Sequence, residues 1–185
     1  MPYKMLNFAK KTLHKLLDMK FSYCPDCGSK LSCRQLGDEV GVPWCDACGR
    51  PWFDMFPCCV ITLVTNGAGR VLLLHQNYIH PVYRNLVSGY ITPGENAEAA
   101  AVREIKEETG LDVSDVRIAG TWWFAKKQML MVGFTAVADD SAPLKLSSEV
   151  DSASWHPASE ALLLVHPAGS VSRALVDSYI CTIGT

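Results

Sequence analysis

Residues 89–111 read GYITPGENAEAAAVREIKEETGL and predict a loop that leads into a helix with a sharp end. Asn96 is a suitable N-cap, and residues 97–108 are rich in strong helix formers. Gly110 follows at the position where a helix end favours a positive φ angle. The stretch therefore predicts a helix over residues 97–108, preceded by a loop and closed by a glycine.

Three glutamates are concentrated on the predicted helix. Glu104, Glu107 and Glu108 stand at i, i+3 and i+4, which predicts that their carboxylates share one face. Like charges at i,i+4 cost about 0.2–0.5 kcal/mol per pair, and a bound cation such as Mg²⁺, which prefers carboxylate and phosphate oxygens, would offset this repulsion. A solvated acidic surface is the alternative interpretation. The apolar positions expected to face the core are Ala99, Val102 and Ile105.

The spacing of these residues resembles the Nudix box, G-x5-E-x7-R-E-U-x-E-E-x-G-U, in which U is aliphatic. Every specified position is filled, from Gly89 to Leu111. The resemblance implies an α+β fold, the Nudix α/β/α sandwich with a mixed sheet. It also implies hydrolysis of a nucleoside diphosphate linked to another group, with Mg²⁺ or Mn²⁺ as the catalytic ion. The box itself says little about which substrate is used.

The resemblance further implies a metal site built from the box and one later carboxylate. Arg103 and Glu95 would hold the box loop and orient the helix carboxylates. Glu149 matches a carboxylate that completes the metal site or assists as a base, and a surface loop charge is the alternative. The implied metal ligands are Glu104, Glu107, Glu108, Glu149 and the carbonyl of Gly89.

Nucleotide contacts are implied in the same way. Tyr90 stands where the family uses an aromatic residue to stack on a base, and such stacking tolerates several bases. Phe53 would supply the opposite wall from a second subunit, with packing at the junction of the domains as the alternative. Trp122 and Ser172 would line the nucleotide pocket. A homodimer is expected from the family.

Two C-x2-C pairs precede the box: Cys24 with Cys27, and Cys45 with Cys48. This pattern fits a tetrahedral four-thiolate Zn²⁺ site, in which a glycine after each pair lets the backbone turn beneath the sulfurs. Disulfides or unliganded thiols are the alternatives. A closed four-thiolate site has no open position for catalysis, so the zinc would be structural.

A zinc ribbon directly before a Nudix domain resembles the NADH pyrophosphatase branch of the superfamily, over residues 22–182. Such enzymes split NAD(H) into AMP and nicotinamide mononucleotide, and some remove NAD caps from RNA. The branch signature S-Q-P-W-P-F-P-x-S is replaced by AGTWWFAKK at residues 119–127, where only Trp122 and Phe124 match. ADP-ribose, FAD or another dinucleotide therefore remain alternative substrates. A non-catalytic nucleotide sensor or RNA-binding zinc-ribbon protein is the alternative from another class.

The whole chain of 185 residues has a net charge of −2, which argues against bulk electrostatic affinity for nucleic acid or anionic membranes. No apolar run approaches the roughly 20 residues of a membrane span, and the composition predicts a soluble, cytoplasmic protein. We expect a basic amphipathic segment (residues 1–21), the ribbon (22–56) and the Nudix domain (57–185). Strands are predicted at 58–65, 70–76, 83–92, 113–124, 129–137 and 152–156, with a tight hairpin turn at Asn66-Gly67 and a terminal helix at 169–180.

Overall fold

The structure, a computed structural model, describes residues 21–184. The amphipathic helix predicted at the N-terminus lies outside these residues. The chain divides into two compact units, of which the first ends at Met55 and the second begins at Phe56. No helix in the described part of the chain is long and apolar enough to cross a membrane. The predicted domain limits, which add a separate N-terminal segment, stay a prediction.

The first unit is a small antiparallel sheet of three strands, β1 (Ser32–Leu36), β2 (Glu39–Cys45) and β3 (Arg50–Pro51), in that order. The buried apolar residues that the structure describes in this unit are few: Cys24, Leu31, Val42, Cys45 and Trp52. Small domains with so little buried apolar surface usually need a metal or disulfides for stability.

Within the described residues, the second unit contains a six-stranded sheet and three helices. Its elements are β4 (Cys58–Thr65), β5 (Arg70–His75), β6 (Val87–Tyr90), α1 (Ala97–Thr109), β7 (Val113–Phe124), β8 (Met129–Ala138), β9 (Ser152–Pro157), α2 (Ala158–Leu164) and α3 (Val171–Ile183). The strand order is β7-β8-β4-β5-β9, and β6 also pairs with β4. The strands β4 and β8 are parallel, and the other pairs are antiparallel.

Both faces of the sheet are covered by helices. Along β5, Leu72 clusters with Ile105 of α1, whereas Leu73 clusters with Leu175 of α3. Successive strand residues point to opposite faces, so α1 lies on one face and α2 and α3 on the other. The predicted α+β class and the α/β/α sandwich with a mixed sheet are confirmed.

The box helix forms as predicted. The Asn96 side chain accepts a hydrogen bond from the Ala99 amide at 2.8 Å, and Gly110 ends the helix with φ 75°. The predicted division of faces is wrong in part, because Ala99 and Val102 are exposed while Glu108 is buried with Ile105. Three helical residues rotate the chain by about 300°, which places Glu108 beside Ile105 on the inner face.

Three other elements differ from the predictions, either in their bounds or in being present at all. The helix α2 was not predicted, and it begins directly after Pro157 without a side-chain cap. The strand β6 is shorter than the predicted span of 83–92. The hairpin between β4 and β5 has a four-residue loop, because the Asn66 side chain accepts hydrogen bonds from the amides of Ala68 and Arg70.

Candidate functional site

The carboxylate of Glu104 lies directly over Gly89, which belongs to β6. A Cβ atom added at Gly89 would lie 2.0 Å from Cδ of Glu104. Glycine is therefore required by space at this position, since a methyl group and this carboxylate cannot both be present. The contact is with the end of the Glu104 side chain, which is 14% exposed, so a larger residue at position 89 would have to displace this carboxylate.

Arg103 joins three carboxylates and the strand that precedes the box loop. Its guanidinium donates to both oxygens of Glu95, at 3.0 and 2.7 Å, and to the Tyr90 carbonyl at 3.0 Å. Nη1 also donates to Oε1 of Glu104 at 2.7 Å and to Oε2 of Glu107 at 2.9 Å. These bonds hold the start of the loop against the helix. The Arg103 bonds, together with those from Thr92, lower the pKa of Glu95 to about 2.

Glu108 has a different environment, because it is 5% exposed and is not bound by Arg103. Gln76 donates through Nε2 to Oε1 of Glu108 at 3.1 Å. The other oxygen, Oε2, is buried and makes no hydrogen bond of normal geometry within the described residues, although the Ser88 backbone amide is close enough to the carboxyl to lower its pKa. Burial raises the pKa of Glu108 to about 7, with the charges of Glu104 and Glu149 adding to the shift.

Glu149 lies on an exposed loop and is close enough to influence the buried end of the helix. Burial is the main cause of the raised pKa of Tyr78, and the charge and hydrogen bond of Glu149 and the charge of Glu108 contribute. The loop thus brings Glu149 toward Glu108, although the two are distant in sequence. Gln76 and Tyr78 were not anticipated from the sequence. The sequence signal that could have pointed to them was the polar pair Gln76-Asn77, which directly follows the apolar strand β5.

The carboxylates supply the oxygen ligands that a hard cation prefers, but they do not converge on a single point. Within residues 21–184, no three carboxylates present oxygens that all lie within 4.8 Å of one another. Arg103 pairs with both Glu104 and Glu107, whereas Glu108 bonds to Gln76 instead. The buried, unpaired Oε2 of Glu108 is the observation that fits a cation, since a buried carboxylate oxygen without a partner is costly. The assignment of the ligands stays a prediction.

The structure places the predicted nucleotide-contacting residues in different surroundings. Tyr90 ends β6 with its side chain 55% exposed, beside the Arg103 contact. Trp122 is partly buried with its ring over Gly133, and Ser172 is buried in α3. Phe53 is exposed in the first unit. Of these four residues, Tyr90 has a described hydrogen bond to a box residue, which its carbonyl accepts from Arg103. The roles of all four stay predictions.

The four predicted zinc ligands come together in the first unit. Four sulfur atoms lie within 4.8 Å of one another, and they belong to Cys24, Cys27, Cys45 and Cys48. The Sγ atoms of Cys24 and Cys48 are 3.9 Å apart, and those of Cys27 and Cys45 are 3.5 Å apart. Tetrahedral Zn²⁺ with Zn–S bonds of about 2.3 Å separates sulfurs by about 3.8 Å. The arrangement therefore fits a zinc ribbon.

Two glycines shape the turns under the sulfurs. Gly28 donates its amide to the Cys24 carbonyl at 2.9 Å with φ 73°, and Gly49 does the same to Cys45 at 2.9 Å with φ 67°. These positive φ angles favour glycine. Each pair thus forms the knuckle that the sequence predicts.

Comparison with known proteins identifies the family of the second unit. The family model described as NUDIX domain matches residues 55–178. The NAD-capped RNA hydrolase NudC of Pseudomonas aeruginosa (strain LESB58) is 28% identical over 158 residues, which cover 85% of this chain and 55% of that protein. The protein of the same name from Haemophilus influenzae (strain PittGG) is 31% identical over 161 residues, covering 84% and 59%. The chain thus spans less than two thirds of these curated relatives.

Solved structures support the fold. A NUDIX hydrolase from Nitrosomonas europaea superposes with a TM-score of 0.62 at 19% identity, covering 80% of this chain and 85% of that one. The NUDIX domain of Shewanella oneidensis NrtR, complexed with ADP ribose, superposes with a TM-score of 0.59 at 18% identity, covering 71% and 90%. At these identities the likeness concerns the fold alone.

Proposed function

The chain belongs to the Nudix family, and we propose that it hydrolyses the pyrophosphate bond of NAD(H), releasing AMP and nicotinamide mononucleotide. Mg²⁺ or Mn²⁺ is the proposed catalytic ion, and Zn²⁺ is structural. The observation that carries the proposal is the buried, unpaired oxygen of Glu108 beside a carboxylate that lies over Gly89. Similarity to proteins named NAD-capped RNA hydrolase supports a substrate that contains NAD.

The proposed mechanism is attack by water on a pyrophosphate phosphorus. A divalent cation in the site would neutralise charge on the phosphate oxygens and lower the pKa of the attacking water. Glu104, Glu107 and Glu108 are the proposed cation ligands, and Arg103 keeps the first two from rotating away. Glu149 is exposed and its charge raises the pKa of Glu108, which supports a role in completing the ligand set or in accepting a proton from water.

Three further features belong to this proposal. The Gly89 carbonyl would be an additional ligand, and Tyr90 would stack on a base. NAD-capped RNA is a second proposed substrate, because the relatives named above carry that activity in their names. The homodimer, with Phe53 reaching a neighbouring site, stays a prediction.

ADP-ribose and FAD are the alternative substrates, since the run of residues 119–127 departs from the branch signature. In the structure this run forms the end of β7 and the turn that follows it. Only Trp122 of its two tryptophans packs against the core, whereas Trp123 is exposed. Trp122 is therefore a signature residue that packs in the core, while the serine, glutamine and proline positions of the signature hold other residues.

The test is to incubate the zinc-loaded protein with NADH, NAD⁺, ADP-ribose or FAD, with Mg²⁺ or Mn²⁺, and to separate the products by chromatography. We expect NADH to give AMP and reduced nicotinamide mononucleotide fastest. Fastest cleavage of ADP-ribose or FAD would contradict the proposed substrate but keep the reaction class. Failure to cleave any of them would favour a nucleotide sensor.

Gly89→Ala is expected to lower the rate of this hydrolysis about a hundredfold, with little loss of stability. The new methyl group would lie 2.0 Å from Cδ of Glu104 and would displace that carboxylate. A shift of about 1 Å in a catalytic group can cost about a hundredfold in rate. The measurements are steady-state kinetics and a thermal melt.

The matched control is Ser88→Ala, which changes the adjacent residue of β6 and adds no atom near Glu104. We expect this variant to keep wild-type kinetics. A Gly89→Ala variant with wild-type activity would show that Glu104 does not need its position over Gly89.

A further inference from the structure

Gln76 is a polar residue in a buried position, directly after β5. Its side chain is 1% exposed, and it lies on the inner side of the site, beside the buried end of α1. Its backbone carbonyl accepts hydrogen bonds from the amides of Ile79 at 2.9 Å and His80 at 3.1 Å, which begins the loop after the strand. A buried carboxamide is costly unless its polar atoms are bonded, so its partners decide its role.

Those partners give the carboxamide one orientation. Nε2 donates to Oε1 of Glu108 at 3.1 Å, and Oε1 of Gln76 accepts from Nδ2 of Asn85 at 3.2 Å. A flipped carboxamide would turn its oxygen toward a carboxylate and its NH₂ toward another NH₂ group. Both contacts would then be repulsive, so the observed orientation is the one that satisfies the atoms.

Asn85 is itself held in place by the backbone. It is buried, and its amide and carbonyl exchange hydrogen bonds with Leu74 at 2.8 and 2.9 Å. The chain of bonds thus runs from the backbone of β5 through Asn85 and Gln76 to Glu108. Because each member is buried, water competes weakly for these bonds.

We propose that Gln76 is a positioning residue, which fixes Glu108 through one carboxylate oxygen so that the other, Oε2, is presented to a divalent cation. This inference rests on the proposed function, in which Glu108 is a cation ligand. The donor to Glu108 is a neutral carboxamide, so this carboxyl is not paired with a cationic side chain, whereas Glu104 and Glu107 share the positive charge of Arg103. Groups that orient metal ligands typically contribute ten- to hundredfold to metal affinity.

The test is Mn²⁺ binding to the zinc-loaded protein without substrate, followed by electron paramagnetic resonance of free Mn²⁺. Gln76→Leu keeps the volume and removes the donor, and we expect a ten- to hundredfold weaker Kd. Gln76→Asn is the second variant, because its shorter side chain keeps the polarity but does not reach Glu108 and Asn85 together. Asn77→Ala, at the exposed neighbouring position, is the control and should bind Mn²⁺ as the wild type does.

A double-mutant cycle separates positioning from a structural role. If Gln76 acts through Glu108, then Gln76→Leu should change the Kd less than twofold when Glu108→Gln is already present. A full further loss in that background would overturn the inference, as would wild-type Mn²⁺ affinity in both Gln76 variants. A melting temperature that falls without any change in Mn²⁺ affinity would also overturn it, since it would show a role in the fold only.

The cycle also distinguishes this inference from the proposed function. If Glu108→Gln binds Mn²⁺ as tightly as the wild type, Glu108 is not a cation ligand and the proposed function fails at that residue. If Glu108→Gln weakens binding while the Gln76 variants do not, only the positioning role fails. With saturating Mg²⁺, the Gln76 variants should lower kcat and leave the KM for the dinucleotide nearly unchanged.

Discussion

Glu108→Gln is expected to abolish hydrolysis and, at the same time, to make the protein more stable at neutral pH when no Mg²⁺ or Mn²⁺ is added. The loss of activity should be about a thousandfold, which corresponds to about 4 kcal/mol of lost transition-state stabilisation. The gain in stability follows from the burial of Glu108, because an ionised carboxylate in this position lacks a partner for Oε2. Glutamine keeps the shape and removes the charge.

The stability difference depends on pH in a defined direction. The pKa of Glu108 is raised from 4.5 to about 7 in the folded protein, mainly by burial. Below pH 4.5 the carboxyl is protonated in both the folded and unfolded states, so it carries no charge penalty. Between these values the folded state holds more protons, and its stability falls as the pH rises, by about 1.4 kcal/mol per unit at most. Above pH 7 the penalty is complete.

The groups that face Glu108 support this direction. Burial is the largest effect, and the charges of Glu104 and Glu149 add to it, whereas hydrogen bonding from Gln76 and from the Ser88 backbone lowers the pKa. We therefore expect Glu108→Gln to gain about 1–3 kcal/mol in the free energy of unfolding at pH 8, and much less at pH 5.5.

Denaturant unfolding at the two pH values measures this gain, and the product assay measures activity. The zinc site is common to both proteins, so the difference between them isolates Glu108. Glu98→Gln is the control, since Glu98 is exposed on the same helix and should change neither quantity much. The prediction is contradicted if Glu108→Gln is no more stable than the wild type at pH 8, or if it keeps more than a tenth of the activity.

Cys45→Ser is expected to remove the bound zinc and to unfold the first unit. Cys45 is fully buried, and its sulfur also accepts a hydrogen bond from the Cys48 amide at 3.3 Å. Structural zinc contributes about 10–16 kcal/mol of apparent binding free energy in small domains, far more than this small core can replace.

Zinc content by atomic absorption and amide hydrogen exchange by mass spectrometry test this prediction. We expect loss of one zinc per chain and loss of protection in β1 and β2, with protection retained in β4 and β5. The control is Cys181→Ser, because Cys181 is exposed on α3 and lies outside the four-cysteine group. A Cys45→Ser protein that keeps its zinc and the protection of β2 would show that the ribbon does not depend on this ligand.

Features that depend on near neighbours in the chain could be predicted from the sequence. The helix α1 has its cap at Asn96 and its end at Gly110 because capping and left-handed geometry are decided within a few residues. The two zinc knuckles follow the same logic, since each C-x2-C pair needs only one turn of backbone. The spacing of the box residues was also sufficient to recognise the family, because its fixed positions lie within one loop and one helix.

Features that depend on distant segments required the tertiary structure. The contact of Gln76 with Glu108 joins the end of β5 to a helix 32 positions later, and no periodicity in the sequence indicates it. The burial of Glu108 follows from how α1 lies on the sheet, which local helix propensity does not specify. The parallel pairing of β4 with β8 likewise joins strands separated by one helix and three other strands.

The division has one physical reason. Caps, turns and periodic faces are governed by interactions between residues a few positions apart, and these are encoded in short patterns. The environment of each box carboxylate is governed by burial and by donors from other elements, which exist only after the sheet and helices have packed. The sequence therefore identified the three glutamates of the box, whereas the fold assigned two of them to Arg103 and left the third buried with Gln76.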